Sequence, residues 1–190
     1  MKFKQDLKSY ILQLDNFIDK KICQKTLIEM NNISFEEHTF YNSKKEYHKP
    51  KSGKQELEVS YDNVSTKKEI MDKLWHAIQK YIEHLEYPWF SGWKGYSEIR
   101  LNKYSENKKM ALHADHIYSL FDGNRKGIPV LSVLGLLNDD YKGGEFIMFD
   151  NYEIKFKQGD ILIFPSNFMF PHKVEPVTKG TRYSFLSWVW

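Results

Sequence analysis

Residues 171–188 read PHKVEPVTKGTRYSFLSW, and the fold is decided by how this stretch is read. Its second half alternates with period two. Arg182, Ser184, Leu186 and Trp188 fall on one face of an extended segment, and Tyr183, Phe185, Ser187 and Val189 on the other. An arginine sharing a face with Leu and Trp is predicted to be withdrawn from water. Working outward, short runs rich in β-branched and aromatic residues alternate with turn signals as far back as Gly95. The predicted strands lie near 96–104, 109–115, 129–137, 145–150, 152–156, 160–164, 170–176 and 181–189. Their separators, among them Asp122-Gly123-Asn124, Asn138 to Gly144 and Gln158-Gly159-Asp160, are turn chemistry. About eight short strands predict a jelly roll, a double-stranded β-helix, over 95–190.

Upstream of Gly95 the texture is helical with one interruption, so the fold class is α+β. From Asp19 to Met30, Ile22, Cys23, Leu27 and Met30 share one helix face. Thr66 and Glu69 form a capping-box pattern. From there Ile70, Leu74, Ala77, Ile78, Tyr81, Ile82 and Leu85 make an apolar stripe, which Pro88 is predicted to end. Between the helices, Lys44, Lys45, Lys49, Lys51 and Lys54 crowd a stretch with Pro50 and Gly53, readable as a solvated loop or as a lid that meets substrate. No repeat or linker divides helices from strands. One domain, 1–190, is expected, with the helices packed on one sheet.

The chain has 190 residues, 41% hydrophobic and 16% aromatic, which excludes disordered and collagen-like classes. A net charge of +3 neither demands nor forbids nucleic acid. Cys23 is the sole cysteine, so no internal disulfide forms and no cysteine–histidine zinc finger can be built. The opening MKFKQDLKSYILQL lacks a signal peptide's apolar run, and no stretch reaches the roughly 20 apolar residues of a membrane span. A reducing, cytoplasmic setting without membrane contact is the expectation; oligomeric state stays open.

His113 and Asp115 are one residue apart in a predicted strand, so both side chains point to one side. H-x-D alone is a weak signal. His172 lies 59 residues downstream at Phe170-Pro171-His172, where a jelly roll can bring its strand beside the first. Two histidines and a carboxylate make the facial triad of non-haem Fe(II) oxygenases, which leaves coordination positions open. Ten residues later, Arg182 offers a planar fork suited to a carboxylate. The remaining histidines, His38, His48, His76 and His84, read as surface or packing residues. His116 faces away from the triad if its strand continues and comes near it if a turn intervenes.

With these residues in place, the chain resembles the 2-oxoglutarate and Fe(II)-dependent oxygenases of the prolyl 4-hydroxylase-like branch. The resemblance is close over about 96–190 and is carried by Asn102–Asp115 (NKYSENKKMALHAD), Leu136–Phe149 (LLNDDYKGGEFIMF), Gly159–Pro165 (GDILIFP) and Pro171–Trp188. It implies that His113, Asp115 and His172 bind Fe(II) and that Arg182 pairs with the distal carboxylate of 2-oxoglutarate. Tyr104 would hold the same carboxylate, Ser132 would stand where relatives have a threonine doing similar work, and Trp188 would lie at the substrate end. O2 is implied as co-substrate, with ascorbate an added requirement in some relatives. The implied reaction hydroxylates a peptidyl proline with release of succinate and CO2.

Three departures bear on the target. Met110 stands where relatives that hydroxylate peptidyl proline often carry a second tyrosine, Asn107 replaces a common glycine, and Leu136 a common tyrosine. Asn107 still tolerates left-handed geometry. Two alternatives remain open: a free amino acid or other small-molecule substrate, and a non-catalytic jelly-roll module that retains the metal pocket. Nucleic-acid demethylation fits poorly, because Trp188 stands where that branch shows a second arginine.

Overall fold

In the computed structural model, residues 6–41, 47–48, 56–87, 92–93, 95–115 and 129–190 are described, with backbone only for 40–41 and 47–48. A 3-10 turn at Leu7–Tyr10 precedes β1 (Leu12–Leu14), helix α1 (Lys20–Met30), and strands β2 (Glu36–Glu37), β3 (Phe40–Tyr41), β4 (Tyr47–His48) and β5 (Glu58–Ser60). Helix α2 (Lys67–Leu85) follows. The remainder runs β6 (Arg100–Tyr104), β7 (Met110–His113), β8 (Leu131–Leu136), β9 (Lys142–Gly143), β10 (Phe146–Met148), β11 (Tyr152–Ile154), β12 (Ile161–Pro165), β13 (His172–Val174), β14 (Val177–Lys179) and β15 (Arg182–Val189).

Each of the eight expected strands is present, most of them shorter than the sequence pattern implied. They assemble into two facing sheets. The larger has seven strands in the order β1-β12-β8-β15-β6-β5-β2, and the smaller four in the order β11-β10-β13-β7. The odd-numbered residues of β15 and their neighbours, including Phe185, Val189, Leu101, Val133 and Ile163, form one core with the buried faces of the helices. The even-numbered side, with Leu186, Trp188, Leu134, Leu162 and Phe164, faces the small sheet's Phe146, Met148 and Val174 in a second core. The site lies in this second layer. The pleat has therefore sorted Arg182, Ser184, Leu186 and Trp188 inward, as their alternation predicts.

The N-terminal half is less helical than its composition suggests. β1 pairs with β12, Leu12 opposite Ile163, and β5 pairs with β6, so the large sheet draws three strands from a region read as helix and loop. The helices have the expected faces: Cys23 and Met30 are buried on α1, and Ile70, Leu74, Ala77, Ile78, Tyr81 and Leu85 on α2. The capping box does not form. Thr66 has helical dihedrals and makes no cap bond; its hydroxyl instead lies 2.6 Å from that of Thr26, joining the helices inside the core. Glu86 in the left-handed conformation (φ 57°) already terminates α2. Pro88, the lysines Lys44, Lys45, Lys49, Lys51 and Lys54, His116 and Asp122-Gly123-Asn124 lie outside the described residues. Asn107 adopts φ 66°, the geometry its side chain tolerates. Among the described residues no helix is long and apolar enough to cross a membrane.

Gly135 shows how tightly the central strands are packed. It faces Phe185 across the ladder, and a Cβ there would stand 2.0 Å from the ring. Gly135→Ala is expected to destabilise the fold by about 1–3 kcal/mol, the usual cost of overpacking a filled core. The midpoint of urea unfolding should fall accordingly, and an unchanged midpoint would show that the ring can move aside.

Candidate functional site

β7 and β13 run antiparallel with His113 directly opposite His172, which brings the two imidazole centroids to 4.3 Å. Two residues after His113, the Asp115 Oδ1 lies 3.1 Å from His113 Nε2 and 3.7 Å from His172 Nε2. Both rings are held from behind. His113 Nδ1 is 2.8 Å from the Ala111 carbonyl, and His172 Nδ1 is 3.1 Å from that of Phe170. A carbonyl oxygen only accepts, so each Nδ1 carries the proton and donates it, leaving both Nε2 lone pairs turned toward the carboxylate. Backbone acceptors on the distal nitrogen are the usual outer support of metal-binding histidines. Burial holds His172 neutral, with its pKa lowered to about 4, so its lone pair faces an anionic oxygen with no proton to share. A cation among the three atoms resolves that repulsion. This is the group of three potential metal ligands found among the described residues, with its ligand atoms all within 4.8 Å of one another.

The surroundings are dry. Asp115 and His172 are almost fully buried, with Phe146 stacked on His172 at 5.3 Å and Phe164 edge-on at 4.9 Å. Burial alone would raise the Asp115 pKa. The adjacent His172 and His113, together with the hydrogen bond from Ser132, outweigh it and keep the carboxyl ionised below the ordinary range. Ser132 donates to Asp115 Oδ2 at 2.7 Å and sits 2.8 Å from Ser166 Oγ. His38, also pressed into this layer, has its pKa lowered to about 3, chiefly by burial and then by Arg100 and His113. His172 and His38 are thus neutral when folded and gain protons readily when unfolded, near an ordinary pKa of about 6.5. The metal-free protein is therefore expected to keep this part of its stability above about pH 6.5 and to lose it as pH falls toward 4. Chemical unfolding at pH 7.5, 6 and 5 checks the sign.

Arg182 opens β15 and pairs with Tyr104 across the ladder, its guanidinium carbon 5.0 Å from the centre of that ring. It is 1% exposed, and Nη1 donates to Ser184 Oγ at 3.1 Å. Nε and Nη2 are buried with no partner. Gly144 (φ 67°) allows the chain to pass close by, since a Cβ there would meet Arg182 Cδ at 3.1 Å. A buried cation with two idle donors, at one end of a layer that holds a carboxylate–bis-imidazole cluster, fits a ligand with a carboxylate at its far end. Burial pushes the Tyr104 hydroxyl upward in pKa, with the cations of Arg182 and Arg100 opposing, so the phenol stays protonated as a donor.

The structure brings His113, Asp115 and His172 together and sets Arg182 beside Tyr104. It does not bring Ser132 to Arg182. Ser132 pairs with Trp188, six residues along β15 from Arg182, roughly 20 Å by strand rise. Its hydroxyl donates to Asp115 Oδ2, beside the two histidines and away from the guanidinium. The small polar group beside Arg182 is Ser184, which the period-two pattern had already put on the same face. Ser132→Ala is accordingly expected to weaken metal affinity ten- to hundredfold, as loss of an outer-shell partner commonly does, with little change in half-saturation by 2-oxoglutarate. The reverse pattern in a metal titration and a co-substrate titration would return Ser132 to the anchor role. Trp188 is nearly buried, with its indole nitrogen unpartnered.

The sequence profile of the 2OG-Fe(II) oxygenase superfamily matches residues 99–190. A PKHD-type hydroxylase of Idiomarina loihiensis is 34% identical over 99 residues, 50% of this chain and 43% of that protein. The chain spans less than half the length of the curated relatives it matches. A prolyl hydroxylase from Trichoplax adhaerens, solved with a hypoxia inducible factor oxygen degradation domain peptide fragment, superposes with a TM-score of 0.67 at 16% identity, covering 96% of this chain and 84% of that one. A prolyl-4-hydroxylase from Pseudomonas putida gives 0.63 at 17%, covering 95% and 91%. At such identities these two show a shared fold. Fe(II), 2-oxoglutarate and O2 are the cofactor set this family implies, and the donor atoms and the idle guanidinium suit the first two. Over residues 99–190 the chain is similar to the 2OG-Fe(II) oxygenase superfamily, on a fold it shares with prolyl 4-hydroxylases.

Proposed function

We propose that this protein is a dioxygenase that hydroxylates a C–H bond, with a peptidyl proline as the favoured target. The observation that supports it most is the pairing of two Nε2 lone pairs and one carboxylate oxygen with a buried arginine whose remaining donors have no partner. Fe(II), 2-oxoglutarate and O2, when bound, supply an oxidative decarboxylation that gives succinate and CO2 and places one oxygen atom on the substrate.

In this reading His113, Asp115 and His172 hold the iron, and the Ala111 and Phe170 carbonyls fix the rings so that Nε2 faces inward. Ser132 keeps Asp115 oriented through Oδ2, which frees Oδ1 for the metal. Arg182 binds the distal carboxylate of 2-oxoglutarate with its Nε and Nη2 protons, and Tyr104 and Ser184 line that end. Phe146, Phe164, Leu134 and Leu186 exclude water from the layer. Trp188 stands at the substrate end, and the cytoplasm, in keeping with the single buried Cys23, is the compartment. The prolyl hydroxylase neighbours, one of them solved with a peptide, favour a peptide or protein partner.

The test adds Fe(II) and 2-oxoglutarate without oxygen and looks for the visible charge-transfer band of the chelate, followed in air by succinate release with and without proline-rich peptides. A band, slow uncoupled succinate release and its stimulation by peptide are expected. Absence of the band would favour a binding module that does no chemistry.

A further inference from the structure

The polar groups on the inner face of β6 and β15 form a line, and the catalytic proposal uses only one end of it. Arg182 donates to Ser184 Oγ, Asn102 Nδ2 reaches the same oxygen at 3.5 Å, and Asn102 Oδ1 accepts from Arg100 Nε at 2.9 Å. Arg100 therefore ends the line as a second inward arginine. It is only 8% exposed, and its guanidinium carbon lies 5.1 Å from the centre of the Trp188 ring. No carboxylate among the described residues pairs with it, and its Nη protons have no acceptor there.

A second donor shares the place. Trp188 Nε1 is buried and unpartnered. Trp188 pairs across the ladder with Ser132, the residue that holds Asp115, so this corner adjoins the metal cluster on the side away from Arg182. An arginine buried to this degree, braced on one nitrogen and stacked on an indole, is costly without an anion. It is also pre-organised for one, since Asn102 and the Trp188 face leave its outer edge as a fork suited to a carboxylate.

Resting on the oxygenase reading above, we propose that Arg100, with the Trp188 indole N–H, binds a carboxylate of the substrate itself, so that the molecule hydroxylated is an anion near its reacting carbon. The carboxylate belongs either to a free amino acid or to an acidic side chain flanking the target in a peptide. Arg182 grips the co-substrate at one end of the layer, and Arg100 selects the substrate at the other.

Wild type, Arg100→Gln and Arg100→Lys are each loaded anaerobically with Fe(II) and 2-oxoglutarate. Probe binding is read as perturbation of the chelate band, and stimulated succinate release is read in air. The probes are matched pairs: proline against prolinamide, and prolyl tetrapeptides carrying Asp or Glu beside the proline against their Asn or Gln counterparts. In the wild type, the acid member of one pair should half-saturate at a concentration at least tenfold lower than its amide. The ratio should collapse toward one in Arg100→Gln and return in part in Arg100→Lys, while half-saturation by 2-oxoglutarate moves less than twofold. The pair that shows the preference identifies the source of the carboxylate. Equal response to acid and amide, no response to any acid, or a preference that survives Arg100→Gln overturns the assignment. Each of those results with an intact chelate band leaves the oxygenase reading standing, whereas a wild type that forms no band removes both.

Discussion

Arg182→Met is expected to cost the protein its 2-oxoglutarate while raising the melting temperature of the ligand-free chain. The two effects have one cause. Arg182 is 1% exposed, Nε and Nη2 lack partners, and the one bond it makes is to the Ser184 hydroxyl. Without a bound carboxylate the fold carries a nearly bare buried cation, offset only by that bond and by the Tyr104 ring. A flexible apolar side chain of similar length removes the desolvation cost, and exchanges of buried charge for apolar packing have stabilised proteins by about 1–4 kcal/mol. In a chain of this size, each kcal/mol moves the melting temperature by roughly 2–4 °C. On the binding side, two charge-assisted hydrogen bonds of about 1.5–3 kcal/mol each are lost, so half-saturation by 2-oxoglutarate should rise on the order of 10²- to 10⁴-fold. Thermal unfolding with Mn(II), with and without 2-oxoglutarate, reads both. The wild type should gain stability with co-substrate and Arg182→Met should not. A melting point well below that of the wild type in the ligand-free variant would mean that Arg182 holds the fold rather than awaiting a ligand.

The second large effect is expected of Asp115→Ala. Ser132→Ala loosens one oxygen of this carboxylate, but removing the side chain takes away the only anionic donor of the cluster and leaves two imidazoles on adjacent strands. Metal affinity should drop well beyond the ten- to hundredfold expected for Ser132→Ala, and both the anaerobic band and succinate release should vanish. Equilibrium dialysis against Mn(II) measures the affinity directly. An Asp115→Ala protein that still binds metal at wild-type strength would show that the cluster is not the iron site.

Much of this architecture is legible in the sequence because it depends on period two. The alternation of Arg182, Ser184, Leu186 and Trp188 sorts β15 correctly, and the same rule puts His113 and Asp115 on one side. What escapes is set by tertiary pairing. β1 is three residues long, too short for a pattern of its own, and extends because Leu12 to Leu14 lie along β12. Thr66 matches a capping box, yet its hydroxyl finds a better partner in Thr26 across the helix pair. The resemblance gives Ser132 the place of a threonine that holds the co-substrate carboxylate, and only the fold shows Asp115 within reach of it. Arg100 follows the same rule: Arg100, Asn102 and Tyr104 alternate with Ile99, Leu101 and Lys103, as Arg182 does with its neighbours. His38 left no such trace. It approaches the cluster from a connection between β2 and β3, where local spacing carries no sign of depth.

The large sheet places β15 in the middle of seven strands, between β8 and β6, although it is the last of them to leave the ribosome. Until it emerges, β8 and β6 have no partner on their inner edges, and the β-rich half waits as two open fragments whose apolar faces can join other chains. Such long-range pairing folds slowly, so yield on expression should depend on synthesis rate, temperature and chaperone supply more than the stability of the finished protein would suggest.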